Sequence, residues 1–452
     1  MRPGNDGARI AYAGNTMAPR FSFSFALVPV LASLLVAGSV VACTNTIIQR
    51  ESAPPGPGDE AGVIDPGITT PMPEAGAPDT STSGPFVFKP APSGTFAQAV
   101  SFGGSVVKTP KIVPIVFAAD SAKQQVMDFT TKLATTTYWG KISSEYGVGA
   151  LTAKPAIVLS ETAPTTIDDN QIGPWLASKF SSDAAHFGTP DSNTLYALFY
   201  PAGTTITEQS GTSCTEFGGY HFETTVGNTP ISYAVVPRCG SFGGLSGFDV
   251  TSFSASHEVL EWATDPFPAT QPAYMSVDDD HAVWGRVFLG ELGDLCTQMD
   301  TQTLPADLGF TVQRTWSNAS AKAGHHPCAP ITKDPYFTAF PTKPETIPSQ
   351  DAFGQQIMTK GYKVAVGQSK TIELTMYSDA DVAPWSVQII DLTQISGAPE
   401  EFTYALDKSK GSAGDTLHLT ITATASAQQG RGFLIYSQVG KLANLWPVSL
   451  TN

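Results

Sequence analysis

The sequence predicts an α+β domain over residues 96–335 followed by an all-β sandwich over residues 340–452. Three observations carry this. Between residues 111 and 264, short apolar runs of strand length are interleaved with segments of helical period. One of those segments, residues 251–264, is apolar on nearly every face yet carries a His-Glu pair, as a helix buried in a core would. Beyond residue 340, apolar residues alternate or cluster between Gly, Asp and Ser turns, with no helical period.

In chain order, residues 111–117 read as a strand, 121–136 as a helix and 138–146 as a second, short one. Strands are expected at 156–159 and 195–200 with a helix at 171–180 between them, and a strand at 231–237 leads into the helix at 251–264. Strands interleaved with helices in this way give an α+β domain. In the C-terminal region strands are expected at 360–366, 370–377, 385–390, 402–406, 416–423 and 432–436, with His418 facing outward.

Ahead of the folded part, Arg20 precedes an apolar run from Phe21 to Val41 that ends in Val40-Val41-Ala42-Cys43. This resembles a bacterial lipoprotein signal, with residues 1–43 as the signal peptide ending at a lipidated Cys43. Residues 44–95 are rich in Pro, Gly, Ser and Thr and bury too little apolar surface to fold, so they read as a tether. The chain is therefore expected to be exported and lipid-anchored to a bacterial membrane or cell surface. Of 452 residues only 14% are charged, and the net charge of −15 argues against nucleic acid as a partner.

Four cysteines remain after Cys43, and an even number in an exported chain points to two disulfides among three possible pairings. The preferred pairs are Cys214 with Cys239, flanking the strand at 231–237, and Cys296 with Cys328, closing the segment after an acidic motif.

The chemistry concentrates in Ser256-His257-Glu258-Val259-Leu260-Glu261-Trp262-Ala263-Thr264-Asp265-Pro266. On a helix His257 and Glu261 share one face, while Glu258 is rotated by about 100° and can serve as a base rather than a ligand. Zinc proteases use His at both ligand positions, so Glu261 departs from that pattern. A third ligand is expected from Gly290-Glu291-Leu292-Gly293-Asp294-Leu295-Cys296, with Glu291 preferred. Asp294, His221 and Asp265 are alternative ligands or orienting groups. His221 lies in Gly218-Gly219-Tyr220-His221, which reads as a Gly-rich turn.

These blocks, with Tyr138-Trp139-Gly140, Ser144-Glu145-Tyr146-Gly147-Val148-Gly149 and Tyr233-Ala234-Val235-Val236-Pro237-Arg238-Cys239, resemble the phosphate-induced, EXORDIUM-like family. The resemblance spans about residues 105–330 and implies a zincin-like α+β fold in bacterial members. The expected function is a surface-tethered, zinc-dependent or other divalent-metal hydrolase acting on peptide or cell-wall material, with Glu258 as catalytic base. The alternative is a non-catalytic, wall-associated or binding protein with a structural metal or polar cluster.

Overall fold

The computed structural model describes residues 86–208, 211–297, 302–393, 399–427 and 431–452, and the backbone of Ala42–Thr44. The signal-peptide reading, the lipidation of Cys43 and the tether to residue 85 otherwise lie outside the described residues. Core contacts begin before residue 96: Phe88 stacks on His325 with ring centroids 4.7 Å apart.

The N-terminal sheet contains β1 (Lys111–Phe117), β2 (Thr152–Ala153), β3 (Ile157–Leu159), β4 (Thr194–Tyr200), β5 (Phe217–Val226) and β6 (Thr229–Pro237). Its order is β5-β6-β4-β1, and β2 and β3 both pair with the far edge of β1. β5 and β6 form an antiparallel hairpin turned at Gly227-Asn228, and the remaining neighbours are parallel. Pro114, which has no N–H to give a ladder, falls at the gap between the short partners β2 and β3.

Strand side chains alternate, so the sheet has two apolar faces. Ile112, Val116, Ala197, Phe199 and Ala234 face the motif helix, Phe248–Thr264, and share a core with its Val259, Trp262 and Ala263. Ile115, Tyr196, Leu198 and Val235 face the helix Asp169–Ser182 and pack on Ile172, Leu176 and Phe180. The motif helix is buried from Val250 to Thr264 apart from Phe253, as its apolar surround predicts. It stops at Asp265 because Pro266 cannot continue the helical ladder and keeps the residue before it out of helical backbone.

The described residues of the C-terminal region are mainly strand. Phe337–Pro341, Ser369–Ser378, Thr416–Ala423 and Phe402–Leu406 make a four-stranded sheet. Glu345–Gln350, Gln356–Lys363, Leu442–Thr451, Arg431–Val439, Trp385–Asp391 and Lys410–Gly411 make a six-stranded one. Thr416–Ala423 buries every second residue, Leu417, Leu419, Ile421 and Ala423, and leaves His418 outward beside Asp407. Each expected strand has a counterpart, the one expected at 360–366 running instead from Gln356 to Lys363; Phe337–Pro341, Glu345–Gln350, Lys410–Gly411 and Leu442–Thr451 lie outside the expected set. Leu442–Thr451 is buried continuously from Asn444 to Leu450, so it shows no period of two. One side of it meets the N-terminal region, where Trp446 packs on Trp284 at 5.1 Å and on Phe96 at 5.3 Å.

The chain is thus mixed α and β, with many strands and few helices among the described residues. Disulfides join Cys214 to Cys239 and Cys296 to Cys328, the pairing preferred from spacing. The first links the approach to β5 with the end of β6, and the second ties the acidic turn to the short strand Cys328–Ala329.

Candidate metal centre

Four segments bring their polar side chains to one buried point. The motif helix supplies His257, Glu258 and Glu261, β5 supplies His221, and the turn after residue 289 supplies Glu291 and Asp294. Asp265 ends the helix beside them, and Gln313 comes from the short strand Val312–Gln313. All eight are between 0% and 1% exposed, against the usual placement of ionisable residues at the surface.

The two histidines are fixed in the same manner. His257 Nδ1 lies 2.5 Å from Gln313 Oε1, and Gln313 Nε2 donates to Gly293 O at 2.7 Å, which orients the amide so that its oxygen accepts from the imidazole. His221 Nε2 donates to Asp265 O at 3.2 Å, a carbonyl released where the helix ends. Each ring therefore presents its other nitrogen to the carboxylates, and neither His257 Nε2 nor His221 Nδ1 has a hydrogen-bond partner. Holding one imidazole N–H so that the opposite nitrogen is a free lone pair is how proteins prepare histidine for a metal.

His257 Nε2 lies 2.8 Å from Glu261 Oε2, 3.6 Å from Asp294 Oδ1 and 4.0 Å from Glu258 Oε1. His221 Nδ1 lies 3.5 Å from Glu258 Oε2 and 3.9 Å from Glu261 Oε2, and its Nε2 lies 3.8 Å from Glu291 Oε1. Donors about 2.0–2.2 Å from a tetrahedral ion stand roughly 3.3–3.6 Å apart; the His221–Glu258 and His257–Asp294 separations fall in that range, His257–Glu261 at 2.8 Å is closer, and the others are wider. Glu261 Oε2, both oxygens of Glu291 and one oxygen each of Asp265 and Asp294 are buried without a hydrogen-bond partner. Burying such oxygens is costly unless a cation meets them. Among the described residues, the ion pairs of Glu261, Glu291 and Asp294 are with these two histidines alone.

The electrostatics agree. Burial first, then the neighbouring carboxylates, push Glu291 well above the ordinary carboxylate range, and burial with Glu261 does the same to Asp294. Burial acts to lower His257, yet the charges of Glu261 and Glu258 outweigh it and raise the imidazole to about 10. Burial acts to raise Glu261, but His257 outweighs it and the net direction is down. A divalent cation at this point would oppose these shifts, because it favours the ionised carboxylate and the neutral imidazole.

Two expectations change. His221 does not sit in an exposed turn: it lies inside the ten-residue strand β5, fully buried, opposite Ala234. The glycines that suggested a turn permit close packing, since a Cβ on Gly219 would stand 3.1 Å from Glu258 Oε1 and 3.2 Å from Val235 O. Glu258, expected only as a base, groups with His257 and Glu261 within 4.8 Å, while Glu291 groups with His221 and Glu261. Asp265 contributes its carbonyl to His221, and its side chain accepts from Ala273 N at 2.7 Å. Gln313 was not singled out, because a lone Gln in a short strand carries no motif.

Gly293 closes the other wall. A Cβ there would stand 2.6 Å from His257 Nδ1 and 2.8 Å from Glu261 Oε1. Gly293→Ala is expected to cost about 1–3 kcal/mol through overpacking, read by chemical denaturation. Unchanged stability would show that the turn can shift freely.

No protein-family model matches the chain, and a search of curated proteins finds no similar one. The EXORDIUM-like resemblance accordingly rests on the quoted motifs.

Proposed function

We propose that this is an exported, surface-tethered metal-binding protein whose cluster holds a divalent cation, zinc or another ion suited to imidazole and carboxylate. The carrying observation is the convergence of fully buried, unpartnered donor atoms from His221, His257, Glu261 and Glu291. Export is supported by the lipoprotein-like N-terminus, and the two disulfides fit an oxidising compartment. The burial of every donor favours a structural centre, in which the ion ties the motif helix to β5 and to the acidic turn.

A second reading, a metal-dependent hydrolase acting on peptides, has its own support. Glu258 reaches toward both histidines, at 3.5 Å from His221 and 4.0 Å from His257, where a carboxylate can accept a proton. A bound divalent ion would supply Lewis acidity and lower the pKa of a water. The chain's own part would be to hold His257 and His221 through Gln313 and Asp265 and to let Glu258 take the proton.

Metal analysis of the purified protein, with assays on casein and short peptides, tests both. The hydrolase reading expects turnover that falls on the order of 10²–10⁴-fold in Glu258→Gln with metal retained. Bound metal without turnover leaves the structural reading, and a metal-free protein that folds normally would overturn both.

A further inference from the structure

The donor atoms form two sets that share one residue. His221, Glu261 and Glu291 are mutually within 4.8 Å, and so are His257, Glu258 and Glu261. Glu261 is common to both, and its two oxygens are not equivalent. Oε1 accepts from Gly293 N at 3.1 Å and from Asp294 N at 3.0 Å, so it is committed to the backbone of the acidic turn. Oε2 has no hydrogen-bond partner and points between the rings, 2.8 Å from His257 Nε2 and 3.9 Å from His221 Nδ1.

We infer that the cluster is a two-cation centre in which Glu261 Oε2 alone bridges one ion held by His221 and Glu291 and another held by His257 and Glu258. This rests on the metal-centre reading above and gives Glu258 a ligand's role instead of a base's. Spacing supports it: Glu261 Oε2 lies 2.8 Å from His257 Nε2 and 3.9 Å from His221 Nδ1, each within the span of about 4.2 Å that two donors of one ion can reach. Asp294, 3.6 Å from His257, completes the donor set on the second side.

The test is stoichiometry. The full chain, purified without chelator and dialysed against zinc or manganese, is expected to hold two ions by plasma mass spectrometry. His221→Ala and His257→Ala should each retain one, and Glu261→Gln should retain none or one held weakly. With manganese, the wild type should give an exchange-coupled paramagnetic signal that each histidine variant replaces with that of an isolated ion. One ion per wild-type chain, or two ions with no exchange coupling, would overturn the bridge and leave the metal-centre reading standing. No bound ion in folded wild type would overturn both, and wild-type stoichiometry needs no variant to fold.

Discussion

Chelation of the proposed cation is expected to lower the melting temperature of the folded protein by roughly 10 °C. A ligand present at a thousandfold its dissociation constant stabilises a fold by about 4 kcal/mol, and one kcal/mol shifts a large domain by about 2–4 °C. The closed site sets the direction: removing the cation leaves the buried oxygens of Glu261, Glu291, Asp265 and Asp294 facing one another with only His221 and His257 between them. Calorimetry with and without chelator measures the shift. His257→Ala should start at the lower temperature and respond little to chelator. A wild-type protein whose melting is indifferent to chelator and to added zinc would remove the centre's structural role.

Trp446→Ala is expected to destabilise the whole folded region by about 3–5 kcal/mol. Trp446 belongs to the C-terminal six-stranded sheet, yet its ring packs at 5.1 Å on Trp284, at 5.3 Å on Phe96 and at 5.4 Å on Phe340. The first two belong to the N-terminal region and the third to the facing sheet, so truncation opens a cavity where three layers meet. Denaturation followed by two probes, metal release for the N-terminal centre and circular dichroism for the strands, should show coincident transitions that shift together in the variant. Loss of strand signal with the metal still bound would show instead that the two C-terminal sheets unfold by themselves.

Features set by neighbours along the chain were legible in the sequence. The motif helix, the one-turn pairing of His257 with Glu261 and both cysteine pairs follow from spacing within or close to single elements. What depends on which elements meet was not. His221 was misassigned because Gly218-Gly219 has the composition of a turn, although those glycines let β5 lie directly against the motif helix. Gln313 touches His257 from a position with no local motif, since only tertiary packing places it there. Leu442–Thr451 showed no alternation because both of its sides are covered. The mixed α and β class was readable from the order of runs. The zincin-like assignment was an analogy of element order, and the sheet and motif helix do not by themselves establish it.

The dispersal of the centre along the chain bears on chain entropy. Its donors come from a strand, a helix and a turn, with a further strand steadying one ring, over positions 221 to 313. Closing those loops is unfavourable, and the core together with two crosslinks meets that requirement before any ion arrives. An extended chain offers an ion little beyond weak local pairs such as His257 with Glu261. Only the folded chain presents the full chelate, so the proposed ion's preference for one over the other would grow with each segment the fold has gathered.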